Sequence, residues 1–305
     1  MNERIMEPTD NLKILFVINP KSGGKSQVDW PSTIRDYFQT LQHTIEIFLL
    51  NDKNGADSLK EKIRSFQPVR VVAVGGDGTV GMVARELLGT DMAMGILPAG
   101  SANGMATELE IPDDPKSALN ITVGTNVKKG DLIRINSKEI CLHLSDLGIN
   151  AQIVKYFEEG TMRGKLGYAK VMIKALIRKR LINVTIQSED QEISRQAFMV
   201  VLANASKYGT GALINPDGNL YDGMFEVVIV RKLALSEFLK MFFKFKRLNP
   251  KKVEIFRAQS VSIDTTHKVH FQVDGEYKGK VNHLHAKILP GILQLIVPGK
   301  PENHS

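Results

Sequence analysis

VRVVAVGGDGTVGMVARELL, residues 69–88, decides the fold. Residues 69–74 form an apolar, β-branched run interrupted only by Arg70, the composition of a buried strand. Glycines at 75, 76 and 78 then punctuate the chain, and 79–88 reads as a helix. A strand, a glycine turn and a helix in succession make the βα unit of a parallel sheet. Upstream, 12–18 (LKILFVI) and 45–50 read as two more strands, and Leu59, Ile63 and Phe66 recur at i, i+4 and i+7 on one helix face. Downstream, 94–97 reads as a fourth strand. The alternation over 12–125 predicts an α/β domain, a parallel sheet with helices on both faces.

After about residue 128 the pattern changes. Ile133 with Ile135, Val184 with Ile186, Val269 with Phe271 and Val273, and Leu293 with Leu295 and Val297 alternate with period two, the mark of half-buried antiparallel strands. Helical segments are predicted at 165–180 and 236–248, and the tail after Pro298 is expected to be loose. The expected domains are 1–127 and a β-rich 128–305, with the last strand free to return toward the first domain.

Composition bounds the function. The chain has 305 residues, and at roughly 150 per domain two domains are expected. A 43% hydrophobic and 24% charged composition supports packed cores and excludes wholesale disorder. The net charge of +7 suits anionic partners without resembling a nucleic-acid tail. Cys141 is the only cysteine, which excludes an intrachain disulfide and a multi-cysteine zinc site and fits a reducing, cytoplasmic setting. No apolar stretch approaches the roughly 18 residues of a membrane span, so neither a signal peptide nor a transmembrane helix is expected.

Three glycine-rich turns each follow a predicted strand: INPKSGGKS at 18–26, GGDGTVG at 75–81 and LPAGSANGMA at 97–106. Turns at the carboxyl ends of parallel strands share one sheet edge, where ligands bind. Without a Cβ, glycine lets backbone N–H groups approach phosphate oxygens, and a following helix N-terminus favours negative charge. The three together read as a polyphosphate cradle. GGKS is not a Walker A loop, because Asn19 stands where that motif needs glycine. Residues 76–81 satisfy GxGxxG, but no acidic residue stands about 20 positions on, at 96–99, so Rossmann-type NAD binding is disfavoured.

These residues resemble the diacylglycerol kinase catalytic-domain family, which includes soluble bacterial lipid kinases and sphingosine and ceramide kinases, and more distantly NAD kinases. The resemblance lies in NPKSGG at 19–24, GGDGT at 75–79 and PAGSAN at 98–103. It continues through DLGINA at 146–151, GYAKVMIKAL at 167–176, NPDGNLYDGMFEV at 215–227 and VDGE at 273–276, in family order. It implies an ATP- and magnesium-dependent kinase with a Rossmann-like three-layer first domain, a β-sandwich-like second domain and an active site in the cleft between them. By the resemblance, Asn19, Lys21, Ser22 and Gly23, then Gly76, Asp77, Gly78 and Thr79, then Ser101 and Asn103 would hold the nucleotide. Asp77 would organise the catalytic magnesium, and Glu276 would accept the proton of the substrate hydroxyl. A structural magnesium site would use the Asp222 carboxylate with the carbonyls of Asn219 and Met224.

The chemistry suits these residue types. Phosphoryl transfer needs positioning, charge neutralisation and a base near the acceptor hydroxyl, and magnesium prefers oxygen ligands. Two departures stand out. After GGDGTV the family has an acidic residue where this chain continues with Gly81 and Met82, and Ala102 and Gly104 replace the usual neighbours of Asn103. The leading expectation is a lipid kinase acting on diacylglycerol or a related lipid. The alternatives are a kinase of a soluble hydroxyl compound on the same fold and a non-catalytic nucleotide- or lipid-binding protein.

In SEFLKMFFKFKRL at 236–248, Phe238, Met241, Phe242 and Phe245 share one helical face, with Lys240, Lys244 and Arg247 on another. Lys165, Lys170, Lys174 and Arg178 to Arg180 add a second basic cluster. Each lysine or arginine near an anionic bilayer is worth about 1 kcal/mol, so the expected partner is a lipid substrate at a membrane surface, met transiently from the cytoplasmic side. A core-packed helix with a solvated basic face is the simpler reading of 236–248. No nucleic-acid partner is expected, and a homodimer is left open. His283 and His285 would point to one face of a strand, and a surface pair is favoured over a metal site.

Overall fold

The computed structural model describes residues 11–22, 28–51, 55–158, 181–206, 218–231 and 252–299. The chain divides into two compact units, Met1–Gly130 with Gly291–Ser305, and Asp131–Pro290. The helices predicted at 165–180 and 236–248 lie outside the described residues, as does Gly23.

In the first unit, β1 (Lys13–Ile18), α1 (Trp30–Phe38), β2 (Thr44–Leu49), α2 (Ala56–Phe66), β3 (Arg70–Gly75), α3 (Asp77–Leu87) and β4 (Ala93–Pro98) alternate. The short α4 (Gly104–Glu108) and then α5 (Pro115–Val123) follow. β1 pairs in parallel with β2 and β3, and β3 with β4, giving the order β2-β1-β3-β4. Each residue of β3 is buried, as its apolar run requires of a strand covered on both faces. α1 packs with α5 and α2 with α3, and right-handed crossovers put these two pairs on opposite faces. Asp29 and Asp114 start α1 and α5 by accepting hydrogen bonds from the backbone N–H groups of Ser32 and Ser117 at 3.3 and 2.8 Å.

This strand order places the site. From β1 the chain steps outward to β2, then returns across β1 to β3 and continues to β4. Connections on the two sides of that reversal leave toward opposite faces, so a crevice opens at the carboxyl ends of β1 and β3. The first glycine turn follows β1, the second follows β3, and the third follows neighbouring β4.

β5 (Val127–Ile135) begins in the first unit and ends in the second. There β6 (Glu139–Cys141), β7 (Leu144–Gly148), α6 (Ile149–Glu158), β8 (Ile182–Ser188), β9 (Glu192–Ala197), β10 (Met199–Ala203), β11 (Phe225–Val230), β12 (Val253–Ala258), β13 (Ser260–Val273) and β14 (Glu276–Ile296) follow. Strands pair antiparallel in the order β12-β11-β10-β7-β13-β14, with β8 on β13 and β9 on β8. Val200, Leu202, Val227 and Ile229 enter one apolar core with Phe225, Phe271 and Leu284. Their alternates Val201, Ala203, Val228 and Val230 enter a second core with Leu144 and Ile149. β10 and β11 are therefore buried on both faces, which explains why MVVLA and FEVVIV carry apolar residues at nearly every position.

One expectation is corrected. The alternation at Leu293 and Leu295 predicts an antiparallel strand, yet this end of β14 lies in the first unit and pairs in parallel with β4, Gln294 beside Ala93 and Leu295 beside Met94. Period two reports a face buried more than its opposite and carries no information about strand direction. Among the described residues, no helix is long and apolar enough to cross a membrane.

Candidate active site

The three glycine turns of the first unit are joined by specific bonds. Asn19, directly after β1, donates its backbone N–H to the Val74 carbonyl at 3.0 Å and its side-chain amide to Thr79 Oγ1 at 3.3 Å, spanning the crevice beside β3. Its own Oδ1 accepts the Lys21 N–H at 3.0 Å, and its carbonyl accepts the Ser22 N–H at 3.1 Å, which curls the first turn. Thr79 is buried at 3% exposure, so its hydroxyl is a fixed partner.

Asp77 joins the second turn to the third. Its Oδ2 accepts the Gly104 N–H at 3.0 Å and its Oδ1 accepts the Met105 N–H at 3.1 Å. Each oxygen keeps lone-pair capacity, and the residue is half-buried. Asn103 adopts the left-handed conformation, φ 52°, and its Oδ1 accepts the Gly100 N–H at 2.8 Å, closing the third turn. Gly100 lies so near the second turn that a Cβ there would stand 2.3 Å from the Gly76 Cα. Gly76 caps α3 without a side chain, and the N–H groups of Asp77 and Gly78 have no acceptor among the described residues. Unpaired N–H groups at the start of an 11-residue helix, in a glycine-lined crevice, suit a phosphate. Gly78 and Ser101 are exposed here, as is Lys21 in the first turn.

In the second unit, antiparallel pairing of β7 with β13 sets Asp146 opposite Gln272 and Ser145 opposite Val273, bringing DLGINA beside VDGE. Asp146 Oδ2 accepts from Asn150 Nδ2 at 2.6 Å and from Gln272 Nε2, and Gln272 Oε1 accepts the Gly275 N–H at 2.8 Å. Asp274 and Gly275 both have positive φ, 48° and 84°, and make the two-residue turn between Val273 and Glu276. The Asp274 carboxylate accepts the N–H groups of Leu142, His143 and Leu144 at 2.8, 2.9 and 3.1 Å, and the Cys141 thiol lies 3.4 Å away. Glu276, half-exposed, follows that turn and accepts from Lys278 Nζ at 2.9 Å.

Burial raises the Asp146 carboxyl from 3.8 to about 6, against the opposing bonds from Asn150, Gln272 and the Ala151 N–H. Burial raises Asp274 as well. A raised carboxyl is still protonated in the folded chain when the unfolded chain has ionised, so stability from it is full below about pH 4 and is lost as pH rises through about 6. For Asp146 the difference is on the order of 3 kcal/mol. Urea denaturation between pH 4 and 7 is expected to show this decline in the wild type and a flatter slope in Asp146→Asn. Equal slopes would assign the decline to other groups.

The turn carrying Asn219, Asp222 and Met224 is built differently from a magnesium site. Asp222 Oδ1 accepts the Met224 N–H at 3.1 Å, and Oδ2 is paired with the Arg257 guanidinium, whose Nε lies 3.3 Å from Glu226 Oε1. Asn219 Oδ1 accepts the Tyr221 N–H at 3.1 Å. With the Asp222 charge met by Arg257, a divalent ion does not fit this carboxylate as arranged. Asp131, which sequence reading passed over, holds the same turn by accepting the Gly223 N–H at 2.6 Å. His283 and His285 share a face of β14, their Nδ1 atoms 2.8 Å from Asp264 Oδ1 and 3.2 Å from Ser262 Oγ.

Sequence reading also missed Gln272, Asp274, Glu139 and Lys278. Asp274 was legible in part, since an Asp-Gly pair between alternating apolar runs signals a hairpin turn. The others depend on register and cross-strand reach.

Comparison with known proteins matches residues 13–135 to the diacylglycerol kinase catalytic domain and residues 145–297 to the YegS C-terminal NAD kinase beta sandwich-like domain. The curated "Probable lipid kinase YegS" of Escherichia coli O6:K15:H31 is 27% identical over 294 residues, covering 93% of this chain and 95% of that one. Its namesake in Shigella flexneri serotype 5b matches to the same extent. The crystal structure of a diacylglycerol kinase from Bacillus anthracis superposes with a TM-score of 0.73 at 20% identity, covering 94% of this chain and 97% of that one. A second structure from that organism gives 0.75 at 22%, with the same coverage. At these identities the structures speak for the fold, an α/β parallel-sheet domain followed by a mostly antiparallel β domain.

Proposed function

Because the chain belongs to the diacylglycerol kinase catalytic-domain family, we propose that it is a lipid kinase, transferring the γ-phosphate of ATP to the hydroxyl of diacylglycerol or a related lipid. One observation carries this reading: the three glycine turns are tied by Asn19–Thr79 and by Asp77 to Gly104 and Met105, leaving the Asp77 and Gly78 N–H groups unpaired at the sheet reversal. A polyphosphate is the ligand such a crevice takes.

In the proposed reaction the acceptor oxygen attacks the γ-phosphorus, the bond to the β-phosphate oxygen breaks, ADP leaves, and the hydroxyl proton passes to a carboxylate. The first-unit turns, Asn19, Lys21, Ser22, Gly76, Gly78, Thr79, Ser101 and Asn103 with them, bind and orient the phosphates. Asp77 keeps oxygen lone pairs for a magnesium ion and its waters, a donor set that fits the metal. Magnesium would neutralise charge developing on the phosphate oxygens. Glu276 in the second unit is the proposed proton acceptor, since one oxygen is held by Lys278 and the other is unengaged among the described residues. The lipid acceptor implies work at a membrane surface by transient peripheral contact.

The test offers γ-labelled ATP and magnesium with mixed micelles of diacylglycerol, monoacylglycerol, ceramide or sphingosine, and soluble hydroxyl compounds in parallel. Label in a lipid, lost in Glu276→Gln while ATP still binds, is the expected outcome. Label only in a soluble acceptor, or none in either set, would overturn it.

A further inference from the structure

Glu276 is unusually constrained for a half-exposed glutamate. Its backbone follows a turn fixed from two sides, by the Gly275 N–H on Gln272 Oε1 and by the Asp274 carboxylate on three successive N–H groups. That leaves the side chain, whose three rotatable bonds cost about 1.5–2 kcal/mol to immobilise. Lys278, two residues on and therefore on the same face of β14, donates to Glu276 Oε2 at 2.9 Å. Lysine is itself long and mobile, so a lone Lys278–Glu276 pair would fix little. Here a second carboxylate completes the arrangement: Glu139 Oε2, on β6, stands 3.1 Å from the same ammonium.

The Lys278 side chain is 24% exposed. Burial works to lower the Lys278 pKa, and the bonds to Glu276 and Glu139 outweigh it, leaving the group above its ordinary value and charged. One cation held by two anions from different strands has little freedom. Glu276 Oε1, by contrast, has no partner among the described residues. The geometry points to Lys278, clamped by Glu139, as a positioning residue that presents Glu276 Oε1 to the acceptor hydroxyl. This rests on the proposed reading of Glu276 as the proton acceptor. Lys278 touches neither substrate nor nucleotide in this role; it removes rotamers of Glu276 in which Oε1 points elsewhere, and misplacement of a reacting group by about 1 Å costs on the order of a hundredfold in rate.

An ordinary surface ion pair contributes about 0–1 kcal/mol to stability and nothing to turnover, which separates the two readings. The experiment measures kcat and KM for ATP in the full-length protein with the lipid acceptor, for wild type, Glu276→Gln, Lys278→Met, Lys278→Arg and Glu139→Gln, with melting temperatures. Lys278→Met is expected to lower kcat roughly tenfold to a hundredfold with KM for ATP within about twofold. Lys278→Arg restores most of kcat, and Glu139→Gln, which loosens the clamp without removing the cation, gives a smaller loss. If Glu276→Gln is inactive while Lys278→Met turns over at the wild-type rate, the positioning role is overturned and the proton-acceptor reading stands. Wild-type turnover in Glu276→Gln overturns both. A Lys278→Met loss that Lys278→Arg does not recover, accompanied by a lowered melting temperature, assigns Lys278 to folding and also overturns the proposal.

Discussion

Asp77→Ala is expected to lower phosphoryl transfer by about a hundredfold to a thousandfold while costing the fold only about 1–3 kcal/mol. The carboxylate accepts the N–H groups of both Gly104 and Met105, so its removal leaves two partly buried donors unpaired and removes the side-chain tie between the second turn and α4. The same deletion removes the carboxylate of the residue that opens α3, where the N–H groups of Asp77 and Gly78 are unpaired among the described residues. Stability loss alone must be separated from loss of the site, and Asp114 supplies the comparison. It starts α5 by accepting from the Ser117 N–H at 2.8 Å and the Ser117 hydroxyl at 2.6 Å, away from the glycine turns in sequence and bonding. Asp114→Ala is expected to weaken the cap of α5 and lower stability slightly while leaving transfer unchanged. Equal activity losses in the two variants, measured at a temperature where circular dichroism finds both folded, would remove Asp77 from the site.

Gly100→Ala is expected to cost at least about 2 kcal/mol and to weaken ATP binding more than tenfold. The added carbon would lie 2.3 Å from the Gly76 Cα, 2.9 Å from the Gly76 nitrogen and 2.8 Å from Asn103 Oδ1. Two of these are backbone atoms that cannot rotate away, so the second and third turns must separate. A separation large enough to relieve the clash displaces the Gly76 cap of α3, where the phosphate is proposed to bind. For a chain of 305 residues a loss of about 2 kcal/mol corresponds to a fall in melting temperature of roughly 3 °C. Calorimetric titration with ATP and a thermal melt measure the two effects separately. Wild-type affinity in a folded Gly100→Ala protein would contradict the close approach of the two turns.

The first unit was largely legible because its signals are local. The apolar run at 69–74, the glycines after it and the helical pattern beyond it are read within 20 residues, and the strand they imply is buried throughout. α1 and α5 were not read: WPSTIRDYF buries Trp30, Ile34 and Phe38, four residues apart, in an otherwise polar segment, and α5 is short. Parallel pairing at Leu295 was not legible, because alternation does not encode direction. For the site, sequence singled out Asp77 by its glycine neighbours and suggested a metal partner. That its carboxylate also holds α4 depends on how closely the turns after β3 and β4 approach, which no spacing records. The Asp222 carboxylate was read as a cation ligand; the cation beside it is Arg257, a residue 35 positions away brought there by β11–β12 pairing of Glu226 with Arg257. Lys278 sat two residues from a recognised motif and carried no signal until Glu139 was placed across from it.

The most direct measurement is amide hydrogen exchange with and without a non-hydrolysable ATP analogue and magnesium, read peptide by peptide. If the three glycine turns form one phosphate site, the analogue slows exchange together at 19–22, 75–79 and 99–105, and Asp77→Ala loses that joint protection. An analogue that binds but protects peptides outside these turns, or protects one turn and leaves the other two unchanged, would contradict a single nucleotide site at the β1–β3 reversal.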